Sequence, residues 1–554
     1  MFKSFMNKRI WILVLASCKQ MGILLTLQRI WRKLVHDSDC TARYHENVII
    51  REQTALLSSN FYAISEDIVS IIMPCLNTDP MQFHLAVRSV LRQTDPRWEL
   101  IIVDDGSTYQ PFLDEIAKVK TSSEKIMVLR RQLPGGISKS TNFGIEVAKG
   151  SYIGFLDHDD ELSPDAIERV MNCIIQKQPS LIYSDEDKID GCGQYCEPFY
   201  KPDWSPALLD CCNYVTHFSV YRREIGDAVG WLRSEYDGSQ DYDLVLRVAE
   251  VTQNIEHLPY VLYHWRKTRG STSESGFAKP YAIRAGLHAL TDSTGRRALL
   301  SKVENIDFIP GHYKTTNGIL DLNGTSLHII VHLGQLTPEM DRLYSITYIQ
   351  EDDDFTVVKV LAQIIKESSS DYVLFIHHPR SSAISNSKVG SLLSFAKRPG
   401  VGVVGVTVLN ERGKIHSSGY CQVDKQLIAY GQNHNPNNIG YFGSLVDDRN
   451  VSSVGAELWV ANRNRLLHAM NHMESLHYQE KYSIQAWLDL VCMFLFSQGL
   501  RTVVRSQVTF KPLNVYSEHY MDFKEILDYQ GWSECRYGRI TSAKEALEIC
   551  PKIC

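Results

Sequence analysis

From Ile68 onward the chain alternates short apolar runs that end in turn residues with stretches of helix length. IVSIIMP is followed by FHLAVRSVLRQ and then by ELIIVDDGS, which reads as strand, helix, strand. A further cycle runs KIMVLRR, a glycine turn at Gly135 and Gly136, the helical ISKSTNFGIEVAKG, and the strand SYIGFLDHDDE. Strands that are apolar throughout are buried on both faces, and their alternation with helices predicts an α/β protein with a Rossmann-like, mostly parallel sheet. Ligands of such sheets sit at the carboxyl ends of the strands. Those ends carry Pro74 with Asn77, Asp104 with Asp105, and Asp157 with Asp159 and Asp160, so each of the three is polar or acidic and marks a site.

The pattern recurs. An offset of 220 lays SYIGFLDHDD over SDYVLFIHHPR, aligning Tyr152 with Tyr372 and Phe155 with Phe375, and an offset near 240 lays HFSVYRRE over ELWVANRN. The second copy is incomplete. Between LHIIVHL and LYSITYI lie about ten residues, too few for the helix and long turn of the first copy. Gly295, Pro310, Gly311, Gly318 and Gly324 interrupt residues 293–325 with little periodicity, which reads as a linker. The expected organisation is a basic, largely helical segment over 1–66, a first α/β domain over 67–292, this linker, and a second, degenerate domain with a C-terminal tail over 326–554.

Composition narrows the class. Of 554 residues 44% are hydrophobic and 22% charged, which excludes collagen-like, disordered and disulfide-scaffold chains. A formal charge of −6 gives no basic field, so no nucleic-acid partner is expected. Basic residues nevertheless crowd the start: Lys3, Lys8, Arg9, Lys19, Arg29, Arg32, Lys33 and Arg43 face only Asp37 and Asp39. The apolar run Ile10 to Cys18 is too short to span a bilayer, which takes roughly 20 residues. Apolar residues interleaved with Lys and Arg suggest that residues 1–43 make a peripheral contact with an anionic membrane face; a helix docked on the protein's own body is the alternative. The 13 cysteines are scattered apart from Cys211–Cys212 and the spacings Cys192/Cys196 and Cys550/Cys554. None forms a zinc-ligand set by spacing, and reduced thiols in a cytoplasmic protein are expected.

Several clusters carry chemistry. Asp157-His158-Asp159-Asp160 follows the strand YIGFL and precedes Ser163-Pro164. Two carboxylates one residue apart can share a hard divalent cation with diphosphate oxygens, while Asp160 or Ser163 can serve as a helix cap. Asp104 and Asp105 in VDDGS can accept hydrogen bonds from a nucleobase imide or a ribose hydroxyl, or form a simple Asp-Gly turn. In GSQDYDLVLRVAE, Asp241 at a helix start is the candidate general base for an acceptor hydroxyl, with an N-cap as the bland alternative. LYHWRKTRGSTS gathers His264, Arg266, Lys267 and Arg269, which could close over a diphosphate, complete a metal shell, or form a solvated loop. PGGISKS lacks P-loop spacing and no G-x-G-x-x-G follows a strand, which removes kinase, ATPase and dinucleotide readings.

VSIIMPCLN, WELIIVDDGST, GGISKSTNFGIEVAKGSYIGFLDHDDELSPDA, LIYSDEDKID, FYKPDWSP and GSQDYDLVLRVAE together resemble the family-2 glycosyltransferases of the GT-A fold over roughly Ile68 to Arg284. The chain is similar to the bacterial enzymes of O-antigen and other surface-polysaccharide assembly that carry two such domains in tandem. LYHWRKTRGSTS followed by KPYAIRAGLHAL is typical of their first domain. The resemblance implies an inverting transferase that uses a nucleotide-diphosphate sugar donor and Mg²⁺ or Mn²⁺. By position it places Pro74 and Asn77 at the nucleotide-pocket wall, Asp105 on the base, Asp157 on the ribose or metal, Asp159 on the metal and Asp241 as the base. The family more often has Glu before that aspartate, where this chain has Gln240.

The second half also resembles a family-2 domain, in RPGVGVVGVTVLNERGKIHSSGY and GYFGSLVDDRNVSSVGAELWVANRN, yet it departs where chemistry would be. Its D-x-D position reads His377-His378-Pro379, and AWLDLVCMF retains only Asp489. A catalytically silent second half is expected. The resemblance thus implies sugar transfer to a glycan or lipid-linked acceptor in lipopolysaccharide, O-antigen or capsule assembly; without a transmembrane helix to thread a growing polymer outward, non-processive addition is expected, in the cytoplasm or, through the basic N-terminus, on the inner face of the cytoplasmic membrane. The alternative is a non-catalytic carbohydrate-binding scaffold of a polysaccharide assembly complex.

Overall fold

The computed structural model describes residues 37–57, 65–268, 280–299, 301–316, 325–379, 384–423, 426–475, 482–513 and 515. The apolar run 10–18, the basic residues up to Lys33, Arg269 and the tail beyond 515 lie outside the described residues.

The first sheet begins with β1 (Val69–Cys75), β2 (Trp98–Asp104), β3 (Ile126–Arg130) and β4 (Tyr152–Phe155), all parallel. It continues with β5 (Glu161–Leu162), β6 (Leu181–Ile189), β7 (Tyr195–Phe199), β8 (Ser219–Arg222) and β9 (Ile255–Arg266). The order is β3-β2-β1-β4-β8-β6-β9-β5, with β7 on the side of β6. β8 runs antiparallel between β4 and β6, so the sheet is mixed. Ile71 and Met73 of β1 pack with Phe83, Phe112 and Ile167 on one face, while Ile72 packs with Ile145, Val245 and Leu290 on the other. Helices on both faces explain why the strands are apolar at successive positions. Asp79 starts one of these helices (Pro80–Leu91) by accepting from the amides of Met81 and Gln82, with Pro80 in the first turn, where its missing N–H costs nothing.

Helix Asp37–Leu57 docks on this sheet rather than standing away from it. Tyr44 donates to Asp187 at 2.7 Å, Glu52 meets His264 at 2.9 Å, and Arg51 donates to the Val261 carbonyl at 2.8 Å. Among the described residues no helix is long and apolar enough to cross a membrane.

Residues 293–325, read from the sequence as a linker, are largely ordered into structure. Helix Pro280–Arg296 enters the stretch, and β10 (Lys302–Asn305) pairs antiparallel with β11 (Tyr313–Thr316). Tyr313 is buried and stacks on Tyr242 at 6.1 Å. Gly311, at φ 78°, lies in the turn of this hairpin, whose contacts are with distant segments, which is why no local periodicity reveals it.

The second half repeats the arrangement. β12 (Leu327–His332), β13 (Ser345–Ile349) and β14 (Tyr372–His377) are parallel. β15 (Val401–Leu409) and β16 (Ile415–Ser417) follow, then the hairpin β17 (Tyr420–Val423) and β18 (Gln426–Ala429), and finally β19 (Arg449–Val451), β20 (Leu458–Asn462) and β21 (Arg501–Phe510). Across the sheet β13-β12-β14-β20-β15-β21 repeats β2-β1-β4-β8-β6-β9, including the antiparallel fourth strand, whereas the antiparallel edge strand comes from a different point of the chain, β5 before β6 in the first half and β19 after β15 in the second. β3 has no counterpart in this order. The helix thought absent after β12 is present but short, Pro338–Leu343, with Pro338 in its first turn.

Candidate active site

β1 lies between β2 and β4, and the three carboxyl ends form one rim. At the β2 side Asn77 adopts φ 48°, a left-handed conformation that Asn tolerates better than most residues. Its Oδ1 accepts from the amides of Thr108 and Tyr109 at 2.8 and 2.9 Å, and its own amide donates to Ser107 Oγ. Pro74, paired with Val103, is half-buried beside it. Asp104 accepts from the Ser107 amide at 2.8 Å and pairs with Arg130 at 3.2 Å. Asp105 accepts from the amides of Gly135 and Gly136 at 3.0 and 2.9 Å and faces Arg131 at 3.3 Å. Gly136 sits at φ 88°, and a Cβ there would fall 2.7 Å from Asp237 Oδ2, so a side chain would push this loop away from Asp105.

At the β4 side Asp157 and Asp159 are half-buried at the strand end. Burial raises the Asp159 carboxyl above its usual range, His158 opposes the rise, and Asp157 adds to it. Such a pair of oxygen donors fits Mg²⁺ or Mn²⁺, hard cations that prefer carboxylate and phosphate oxygens. Asp160 does not join them. It is buried, accepts from Tyr263 Oη at 2.6 Å and from the Arg266 amide at 2.7 Å, and so anchors the loop.

Two sequence-derived assignments need correction. His264 is in the interior strand β9 with no solvent exposure, not in a loop, and its ring nitrogens meet Asp187 at 2.5 Å and Glu52 at 2.9 Å. Burial disfavours its charge, but the two carboxylates overcome that and hold it up at about 10. With both nitrogens engaged it is placed to bind helix Asp37–Leu57, not a diphosphate or a metal. Arg266 also turns inward: its Nε donates to the Asp159 carbonyl at 2.8 Å and its guanidinium pairs with Glu161, so it braces the acidic loop rather than closing over a ligand.

Helix Gln240–Val251 brings Asp241 to the rim in its first turn. Asn213 Nδ2 donates to Asp241 Oδ2 at 2.8 Å. Burial raises the Asp241 carboxyl, the charge of His217 lowers it, and Asp157 raises it further. Asp243, by contrast, is fully buried between Arg233 and Arg247 and is structural. Gln240 accepts from the Gly238 amide at 2.8 Å and closes the turn before the helix.

His217 escapes sequence inspection. β8 runs antiparallel to β4 with Val220 opposite Gly154, which carries His217, three residues before Val220, toward Asp157, three residues after Gly154. It stacks on Tyr263 at 4.6 Å and meets Glu186 at 3.3 Å. Burial disfavours its charge, but Glu186, Asp157 and Asp160 raise it to about 9, so it is an imidazolium at neutral pH. The buried Lys201 ammonium donates to Glu186 at 2.9 Å and, with His217, holds that carboxyl down at about 2 against the effect of burial. The DED of LIYSDEDKID was the available signal, since three consecutive acids in a buried strand require cationic partners.

The equivalent rim of the second half is different. His332 and His377 meet through their Nδ1 atoms at 2.8 Å, and burial with the neighbouring His332 and His378 drives His377 down to about 2. A groove of about 1360 Å³ opens there, lined by these histidines together with Asp352, Asp354 and Lys414. Asp489 lies inside helix Ile484–Ser497, buried, accepting from Gln485 at 2.8 Å; burial raises it to about 7.

Residues 70–229 match the model of the family described as Glycosyl transferase family 2. The chain is 31% identical over 441 residues to the uncharacterized protein y4gI of Sinorhizobium fredii, covering 72% of this chain and 48% of that one. It is 29% identical over 391 residues to the O-antigen biosynthesis protein RfbC of Myxococcus xanthus, covering 64% of this chain and 30% of the relative. Among solved structures, S. aureus TarS 1–349 in complex with UDP-GlcNAc is 18% identical with a TM-score of 0.34, covering 40% of this chain and 65% of that one. Residues 70–229, which hold most of the first sheet, are a family-2 glycosyltransferase domain. It spans less than half the length of either curated relative.

Proposed function

We propose that the chain is an inverting, metal-dependent glycosyltransferase that moves a sugar from a nucleoside-diphosphate donor to a hydroxyl of a glycan or lipid-linked acceptor in surface-polysaccharide assembly. The observation that carries this reading is the convergence of Asp157, Asp159, Asp241 and the charged His217 on one strand-end rim. β2 and β4 flank β1, so the Asp104–Asp105 cluster and the Asp157–Asp159 pair stand about 10 Å apart, two strand spacings. That separation suits a nucleoside at one end and its diphosphate at the other.

Asp105, with Asn77 shaping its loop, receives the base, and Asp157 and Asp159 hold Mg²⁺ or Mn²⁺. When bound, the cation neutralises charge on the departing nucleoside diphosphate. Asp241 accepts the proton of the acceptor hydroxyl as its oxygen bonds to the anomeric carbon and the bond to the diphosphate breaks. His217 keeps that carboxylate ionised. The second half, which has His377-His378-Pro379 where the first has Asp157-His158-Asp159, is catalytically silent. The similarity to the O-antigen biosynthesis protein RfbC supports a polysaccharide acceptor, and the basic residues before Asp37 support a cytoplasmic enzyme peripheral on the inner membrane face.

The test is donor-dependent release of nucleoside diphosphate from UDP-, dTDP- and GDP-sugars, with Mn²⁺ or EDTA, together with thermal shifts by each donor. One donor should stabilise the protein and be turned over with Mn²⁺; Asp159→Ala should abolish both effects, and Asp489→Asn should leave turnover within about twofold. If no donor shifts the melting temperature, the transferase reading is wrong and the non-catalytic scaffold replaces it.

A further inference from the structure

We propose that Cys212, His312 and Asp447 form a second, structural metal site, of zinc chemistry, at the seam between the two halves of the molecule. Cys212 follows the short helix Pro206–Leu209 of the first half, His312 precedes β11, and Asp447 precedes β19 of the second. Their ligand atoms all lie within 4.8 Å of one another. A tetrahedral zinc with ligands at about 2.0–2.3 Å sets its donors roughly 3.5 Å apart, so closure needs shifts of about 1 Å.

The surroundings point to a cation. Cys212 and Asp447 are 8% and 0% exposed, in a seam where no bulk water can solvate the carboxylate. Asp447 Oδ2 meets His312 Nδ1 at 2.7 Å, but its Oδ1 is buried and among the described residues has no hydrogen-bond partner, a costly state for a carboxylate oxygen. Cys212 and His312 are partners in an isolated antiparallel bridge, which sets their backbones side by side without any local sequence spacing. Gly443 makes the room: at φ 86°, a Cβ would lie 2.6 Å from Asp447 Oδ2 and 2.7 Å from His312 Cε1.

A mixed sulfur, nitrogen and oxygen set selects zinc over the hard cations suited to Asp157 and Asp159, so the two sites separate by chemistry. Water would fill the fourth position. On loading, the thiol proton leaves to solvent, the neutral His312 ring keeps its proton on the nitrogen that does not bind the metal, and no redox change occurs. Tyr313, next to His312, stacks on Tyr242, next to Asp241. The metal would thus pin the hairpin and the second half behind the helix that carries Asp241.

The full-length protein is washed with EDTA sufficient to strip Mn²⁺, and its zinc is measured. About one zinc per chain is expected in the wild type and less than a tenth of that in Cys212→Ala. Co²⁺ should give the wild type a thiolate charge-transfer band that the variant lacks. Zinc should raise the melting temperature of chelator-stripped wild type and leave that of Cys212→Ala unchanged. Absence of zinc and of the cobalt band in the wild type overturns the site, as does equal zinc binding by both proteins. If Cys212→Ala does not fold, the cobalt band and the zinc-dependent melting of the wild type decide alone.

Discussion

As the proposed base, Asp241 must be ionised to take a proton, and its environment sets the pH at which that happens. Burial raises it, His217 opposes the rise, and Asp157 adds to it, with a net upward shift. The acid limb of kcat/KM is therefore expected above pH 4, the range of an ordinary carboxylate. Replacing His217 by Gln removes the opposing charge, so the limb should move to higher pH while the activity plateau above it survives. Asp241→Asn should instead lower kcat by about 10²–10⁴ at every pH. A pH–rate profile of the three proteins separates these outcomes; an unmoved limb in His217→Gln would refute the coupling. Asp241 was legible because an acid at a helix start after a polar turn is visible in one dimension. His217 was not, because a lone histidine in HFSVYRRE becomes relevant only when an antiparallel strand turns it toward Asp157. His264 misled for the same reason: the basic cluster around it reads as a loop, whereas the sheet places it inside a strand.

At the scale of elements, the parallel strands β1 to β4 were readable because two-sided burial makes them apolar at consecutive positions. β5 has two residues and β8 four, so neither carries a periodic signal, and the mixed order of the sheet follows from pairings far apart in sequence. Helix Asp37–Leu57 shows the same limit. Its docking rests on Tyr44, Arg51 and Glu52, polar residues whose partners lie 112 to 212 positions away or in between. The buried ion pair at its centre has a pH signature. His264 is held at about 10, above the 6.5 of an unconstrained imidazole, so its contribution to stability is complete below about pH 6.5 and is lost as pH rises through 10. Glu52→Gln should cost about 1–3 kcal/mol at pH 7 by weakening a hydrogen bond to a buried cation, and the loss should shrink by pH 10.5. Denaturant unfolding at the two pH values measures it; an equal loss at both would show that the helix is held by packing instead.

For the whole molecule, the repeated strand order shows that both halves are built on one plan, yet they are not beads on a string. Phe199 stacks on Phe442 at 4.1 Å, and the Tyr441 hydroxyl donates to the Pro198 carbonyl. Deeper in the seam, Asp210, 2% exposed, pairs with Arg297 at 2.8 Å and with Arg398 of the second half at 2.6 Å. Arg505 pairs with Asp448 at 2.8 Å and donates to the Thr315 carbonyl of the hairpin. A buried charge network adds little stability relative to apolar packing, but removing one member strands the others without solvent. Asp210→Ala should therefore destabilise the protein by about 3–5 kcal/mol, because two guanidinium groups lose their shared carboxylate, whereas Asp210→Asn, which keeps an acceptor, should cost less. Calorimetry distinguishes where the cost falls. If the seam couples the halves, the wild type unfolds in one transition and Asp210→Ala splits it in two, the first moved down by several degrees. Two transitions already present in the wild type, with Asp210→Ala shifting neither, would mean that the network fills the seam without joining the halves.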